Sequence, residues 1–404
     1  MKKEILIITP DFPYPPYDGV KIPVWNRILY LSQYFKLDVI FSSMQANYFD
    51  ADKAGIFNLT DVNFSQLYIF EKTNYVIRFF KFITTKKPFF STRRLNRFSI
   101  IELNRRIKNS NYSFIIVDTE LYAQIIDFID TKAICIISPN DSISLSYFDE
   151  LRFDIHKNVL KNIFVYFNYS RSKKYESNYY EKFDYCQLVS KVDATFLKGV
   201  NKNINTIVFP IGVSKRIQKT CAGDFNNTKS ILIVGRLAGG NLVYVRNFIE
   251  SIWINLSKKY PNYNLVLVSR IIPNYFLDEI SKFNVIVLDN ISDKELENLY
   301  YSVEFVISPV KKTTGMLNKI VEAMSFGKTV LGFNASFKSL EGANNYQHFI
   351  GAEDESEMQR VIKLILMGEI NLKLIGNNAR NYVEKKLTWD GIMMDYREFL
   401  NSHF

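Results

Sequence analysis

Cysteine and histidine are scarce in this chain, with three of each in 404 residues. Cys135, Cys186 and Cys221 stand far apart and form no C-x-x-C pair. Such a set argues against a disulfide framework and fits a reducing compartment. His156, His348 and His403 are just as dispersed, so the sequence offers no cluster at zinc-ligand spacing and we expect no metal. No stretch reaches the roughly 18–20 apolar residues that a membrane-spanning helix needs. In the opening MKKEILIITP the apolar run is too short for a signal peptide and is soon interrupted by Asp11 and a proline cluster. It reads as a buried first strand, and the expected location is cytoplasmic, with contact to a membrane left open. No G-x-G-x-x-G follows the first strand of either half, which counts against a dinucleotide cofactor.

What is abundant is apolar surface. Hydrophobic residues make up 47% of the chain, enough for burial, and the length suggests two or three domains. Short apolar runs alternate with helical patterns from end to end, as parallel α/β sheets require. In the first half we expect strands at Ile5–Thr9, Leu37–Phe41, Leu67–Phe70, Phe114–Val117, Ala133–Ile137, Gln187–Ser190 and Thr206–Phe209. A second series follows at Ile231–Val234, Asn264–Val268, Val285–Leu288, Phe305–Ser308 and Thr329–Phe333, with helices such as Val243–Lys258 and Asp293–Tyr301 between them. The polar, aperiodic stretch 214–227 reads as a linker between a domain over 1–213 and another over 228–385. Residues 386–404 read as a terminal helix that crosses back to the first domain. The fold class is therefore α/β, with two doubly wound, Rossmann-like domains, and ligands are expected at the carboxyl ends of the strands, in a cleft between the domains.

Charge is concentrated in one place. From Lys72 to Lys108 there are eleven Lys or Arg and one acid, Glu102, so this segment carries the whole of the chain's net +10. Lys86, Lys87, Arg93, Arg94 and Arg97 lie here, interleaved with Phe79, Phe80, Phe82, Phe89, Phe90 and Phe98. One reading is a solvated helical pair with its aromatics turned inward. The other is a surface that docks on anionic lipid. No motif that reads DNA or RNA accompanies the charge, so a nucleic-acid partner is not expected.

The run TGMLNKIVEAMSFGKTV, residues 314–330, lies between two predicted strands and reads as a loop entering a helix. Gly315 allows a tight turn close to a ligand, and the amides of the helix's first turn favour an anion. Lys319 and Glu322 share one face, as an ion pair or as ligands for a diphosphate and for sugar hydroxyls. Earlier, ILIVGRL puts Gly235 and Arg236 at the end of a strand, where a guanidinium can grip a diphosphate.

These two segments resemble the nucleotide-binding motifs of retaining glycosyltransferases of family 4, in the Asn-Lys-x-x-Glu-Ala-Met form found in bacterial polysaccharide enzymes. The resemblance implies the GT-B fold, a nucleotide-sugar donor, no metal, and retention with the leaving phosphate taking the acceptor proton. It makes Glu322 the ribose ligand, Lys319 and Arg236 the phosphate contacts, and Gly315, Met316 and Leu317 the donor-sugar loop. Thr314 stands where many members carry a second glutamate, and Asn241 where many carry a lysine. In the first half, TPDFPYPPYDGVKIP resembles the family's first loop, whose glycine faces donor phosphate and acceptor, and this makes Gly19 a nucleotide-sugar contact, with Lys21 as a second candidate beside it. Phe209–Val213 resembles its interdomain hinge, with Ile211 in place of asparagine.

Asp118 and Asp141 follow predicted strands and are candidates to orient an acceptor hydroxyl, although aspartates also end strands for purely local reasons. The only D-x-D, Asp50-Ala51-Asp52, lies in a polar stretch away from the expected site. The expected function is transfer of a sugar to a glycan or lipid-linked acceptor in surface-polysaccharide assembly. The alternatives are a catalytically silent partner in a membrane-bound assembly complex and a sugar-nucleotide epimerase. The epimerase needs paired carboxylates and histidines, and histidine is scarce in this chain.

Overall fold

The computed structural model describes residues 2–16, 19–43, 61–153, 158–214, 229–237, 240–270, 272–280 and 283–403. Asp50, Asp52, His156, Cys221 and all of the expected linker after Ser214 lie outside the described residues. The chain divides into two compact units, one of Met1–Ile211 with Asp390–Phe404 and one of Gly212–Trp389.

The first unit is built on a seven-stranded parallel sheet in the order β3-β2-β1-β4-β5-β6-β7. Its strands are β1 (Glu4–Asp11), β2 (Lys36–Ser43), β3 (Val62–Gln66), β4 (Tyr112–Asp118), β5 (Ile134–Asn140), β6 (Tyr185–Leu188) and β7 (Thr206–Val208). The central strands carry unbroken apolar runs, Ile5–Ile8 in β1 and Phe114–Val117 in β4, because both faces are covered. Leu6, Ile8, Ile115 and Val117 enter one core, and Ile5, Ile7, Phe114 and Ile116 enter the other. The helices of this unit are α1 (Lys21–Leu31), α2 (Tyr75–Thr84), α3 (Arg97–Asn109), α4 (Ile143–Phe153), α5 (Val159–Tyr180) and α6 (Lys191–Val200). Side-chain caps from Asn74, Asn96, Asn158 and Ser190 start four of them.

The second unit has a six-stranded parallel sheet in the order β10-β9-β8-β11-β12-β13. These are β8 (Lys229–Val234), β9 (Tyr263–Ser269), β10 (Val285–Asp289), β11 (Phe305–Ser308), β12 (Val330–Phe333) and β13 (Ile350–Ala352). The helix expected at 243–258 runs as α7 (Gly240–Phe248), a π-turn (Ile249–Trp253) and α8 (Ile254–Lys259). Then come α9 (Asn274–Ile280), α10 (Asp293–Ser302), α11 (Asn318–Ser325), α12 (Glu355–Leu366) and α13 (Leu372–Lys386). A reciprocal Ser292–Glu295 capping box opens α10. Lys328 closes it, donating to the backbone oxygens of Tyr301 at 3.1 Å and Val303 at 2.7 Å. Last, α14 (Trp389–Asn401) sends Tyr396 and Leu400, both fully buried, into the first unit's core. There Tyr396 packs on Phe209 with ring centroids 4.7 Å apart.

The α/β architecture is thus present as expected, with two corrections. The third strand lies at Val62–Gln66, before the expected Leu67–Phe70, and a thirteenth strand at Ile350–Ala352 went unforeseen.

Candidate functional site

In a parallel sheet the loops diverge where the strand order reverses, and a ligand fits there. The reversal in the second sheet lies between β8 and β11, which pair through Phe305 with Ile231 and Val306 with Leu232. Two of the predicted segments follow these two strands. Arg236 is exposed just beyond β8, and the Thr313–Lys319 loop follows β11 into α11.

Several contacts hold these loops. The Leu237 amide donates to Ser269 Oγ at 3.1 Å, which fastens the β8 loop to the end of β9. Tyr244 of α7 donates its hydroxyl to the Lys311 carbonyl at 3.0 Å, tying the helix after β8 to the loop after β11. Lys311 itself pairs with Glu355 at 2.7 Å and sits 4.3 Å above the Phe333 ring. Gly315 has φ +65, a conformation that favours glycine. At Gly235, by contrast, an added Cβ would meet nothing within 4 Å, so packing within the protein does not demand glycine there.

Thr314 and Met316 are buried beneath the loop, and Leu317 begins α11 in extended geometry without a side-chain cap. The first turn of α11 contains no acid, so the positive end of its dipole is not countered from within the helix. On this helix Lys319 donates to Glu322 Oε2 at 2.8 Å, and Tyr300 donates to the same oxygen at 3.3 Å. Tyr300 is fully buried and stacked on Phe326 at 4.6 Å, so Glu322 is braced from below by a fixed hydroxyl. Tyr244 and Tyr300 are the positioning residues that sequence reasoning missed. Both look like ordinary helix-face aromatics, and no local spacing marks them.

The first-unit candidates fare differently. Gly19 lies in an exposed turn before α1. Lys21, in the first turn of α1, is 5% exposed. Asp118 is buried too. Only 2% exposed, it accepts from Arg27 Nη1 at 2.8 Å, and Arg27 Nη2 donates to Ser138 Oγ at 3.0 Å. Burial raises its pKa against the pull of Arg27. The acid presented beyond β4 is the half-buried Glu120, two residues on, which accepts from Thr119 Oγ1 at 2.8 Å. Burial and, to a smaller extent, the charge of Asp141 push the Glu120 pKa up. Asp141 is half-buried after β5.

Lys86, Lys87, Arg93, Arg94 and Arg97 are all exposed. The aromatics among them are not all turned inward. Phe82 is buried, but Phe79, Phe80 and Phe98 are 44%, 66% and 85% exposed. Among the described residues no group of three or more His, Cys, Asp or Glu could hold a metal ion, and no helix is long and apolar enough to cross a membrane.

Residues 228–386 match the family model described as Glycosyl transferases group 1. No curated protein sequence matches closely enough to count as a relative. Solved structures align over nearly the whole chain at low identity. Sucrose-phosphate synthase from Thermosynechococcus elongatus is 13% identical, covers 99% of both chains and has a TM-score of 0.73. HepE from Anabaena, solved with UDP and glucose, is 13% identical over 99% of this chain and 100% of its own, with a TM-score of 0.68. WaaG, a glycosyltransferase involved in lipopolysaccharide biosynthesis, is 12% identical over 98% and 99%, with a TM-score of 0.66. The second unit thus carries a group 1 glycosyl transferase domain, within a chain of GT-B fold.

Proposed function

We propose that this protein takes a sugar from a nucleoside-diphosphate donor held by the second unit and delivers it, with retention, to a glycan or lipid-linked acceptor in surface-polysaccharide assembly. The observation that carries the reading is the meeting of Arg236 with the Gly315–Glu322 segment at one strand-order reversal. A fork-shaped cation, an uncapped helix start and a braced carboxylate then stand at neighbouring strand ends. In this reading Glu322 accepts from the ribose hydroxyls. Lys319, Arg236 and the α11 amides take the charge that develops on the leaving diphosphate, without a metal. Gly315, Met316 and Leu317 line the donor sugar, with Gly235 leaving room for the phosphates. Gly19 faces the donor phosphate, and Asp141 belongs to the acceptor side. The exposed Lys86, Lys87, Arg93, Arg94 and Arg97 bring the first unit to an anionic membrane surface, where a lipid-linked acceptor resides. HepE with UDP and glucose supports the donor class, and WaaG supports the pathway class.

Calorimetric titration with nucleoside diphosphates tests the centre of this reading. Glu322→Ala should weaken the preferred nucleotide by about 1.5–3 kcal/mol, the worth of hydrogen bonds to an ionised group. Unchanged affinity in a folded variant would reduce Glu322 to a surface acid paired with Lys319. Donor turnover should continue in excess chelator. A protein that binds nucleotide but never turns the donor over would instead be a silent partner.

A further inference from the structure

Among the described residues, large exposed hydrophobic side chains gather on two neighbouring helices of the first unit. On α2, Val76, Ile77, Phe80 and Ile83 are each half or more exposed, and only Phe82 is buried. On the first turns of α5, Leu160, Ile163 and Phe167 are 76%, 47% and 46% exposed. The spacings 76-80-83 and 160-163-167 each make one continuous stripe on a helix. The helices are fastened side by side. Phe82 and Phe164 meet with centroids 5.1 Å apart, and the Arg171 guanidinium lies 4.3 Å above the Phe82 ring and donates to the Phe82 carbonyl. The Phe89 amide donates to buried Asn168 of α5 at 3.0 Å. An apolar stripe therefore flanks this seam on each helix, and a monomer in water rarely leaves so much contiguous apolar surface uncovered.

Charge selects what covers it. Both charged residues of α2, Arg78 and Lys81, are basic, and Lys72, Lys86 and Lys87 flank the helix. A second copy would bring the same sign of charge to the contact and be repelled. A surface with anionic groups above an apolar interior satisfies both features, and a bilayer of anionic lipids is such a surface.

We propose that α2 and the first turns of α5 together insert into the boundary between headgroups and acyl chains of an anionic bilayer, while the basic residues around them hold the headgroups. This rests on the lipid-surface reading above and goes beyond it. Electrostatic docking needs only the charges of 72–108, whereas insertion also uses the apolar stripe of α5, which lies outside that segment.

The experiment uses the full chain with vesicles of neutral phosphatidylcholine, with and without anionic phosphatidylglycerol, in cosedimentation across a salt series. Replacing Ile77, Phe80 and Ile83 by Ser, or Leu160, Ile163 and Phe167 by Ser, should each lower vesicle binding at high salt by about tenfold or more. Weak binding of these variants at low salt should persist, because the basic residues still attract anionic lipid where screening is slight. The residues are exposed, so the variants should keep the wild-type melting temperature. A tryptophan at Phe80→Trp should be quenched by brominated acyl chains, beyond any quenching of the wild type. If the Ser variants pellet as the wild type does, insertion is wrong although docking by charge stands. If Lys86, Lys87, Arg93, Arg94 and Arg97 changed together to Gln leave binding untouched and wild type ignores anionic lipid, the lipid reading itself falls. A wild-type dimer that the Ser variants split would assign the face to a second copy and overturn the proposal.

Discussion

At the scale of single residues, burial separates acids that look alike in the sequence. Asp118 ends a strand and is followed by a loop, a natural place for a ligand contact. The pleat instead turns it inward onto Arg27, and the sequence distance of 91 residues hides the pair. Arg27→Met should cost about 3–5 kcal/mol, because it leaves a buried carboxylate unpaired. Adding Asp118→Leu should recover much of that loss, and urea midpoints of both variants measure the difference.

Glu176 makes the second residue-scale case. It is fully buried and accepts from Ser142 Oγ at 3.0 Å and from Ser144, and burial outweighs these bonds to push its pKa up to about 8 from 4.5. The native state therefore binds more protons than the unfolded chain between those values, so stability is fullest below the unfolded pKa and falls as pH rises through the window. Glu176→Gln should flatten this fall. Its melting temperature should exceed that of the wild type at about pH 9 and not at about pH 5. Parallel slopes for the two proteins would mean that Glu176 ionises normally.

At the scale of elements, what could be read depended on burial pattern. Central strands are covered on both faces, so each shows as an unbroken apolar run, and all were anticipated within a few residues. The edges were harder. Val62–Gln66 alternates polar and apolar because it has one strand neighbour, while the more apolar Leu67–Phe70 leaves the sheet and bridges to Leu95 through Phe70. Ile350–Ala352 is only three residues long, too short to carry a period. The candidate site was legible where it is local, in 235–237 and 314–322. It was illegible where it relies on Tyr244 and Tyr300, whose roles exist only once the sheet order is known. Some contacts depend on the absence of a side chain. At Gly376 of α13 an added Cβ would lie 2.1 Å from the Gly327 carbonyl, where the chain leaves α11 with φ +72. Gly376→Ala must push α13 off α11, and overpacking of this kind costs about 1–3 kcal/mol. A shift of the denaturation midpoint measures the cost. Weaker nucleotide binding alongside would show that α13 helps hold α11, and an unshifted midpoint would mean that the helices part without strain.

At the scale of the whole molecule, the chain ends by returning to the unit in which it began. The domain matched by the family model stops at residue 386, and α14 then contributes to the core of β1, β2 and α1. Tyr396 lies with its ring 5.5 Å from the Arg27 guanidinium, and Tyr185 is hydrogen-bonded to His403 Nε2 at 2.7 Å. Burying Tyr396 and Leu400 is worth roughly 3–6 kcal/mol at about 1.5–3 kcal/mol for each large side chain. That is a large share of the roughly 5–15 kcal/mol by which a typical domain is stable. Removing α14 would also open the Arg27–Asp118 pair to water on its Tyr396 side. Deletion of residues 390–404 should therefore unfold or loosen the first unit while the second keeps its sheet. Amide hydrogen exchange resolves this directly, because protection reports local opening. Protection should fall in Ile5–Ile8 and Leu37–Phe41 and hold in Leu265–Val268 and Val330–Phe333. Nucleotide binding should survive in the truncated protein if the second unit alone carries the donor site. Equal protection in both sheets would show that α14 only decorates a unit that is stable without it.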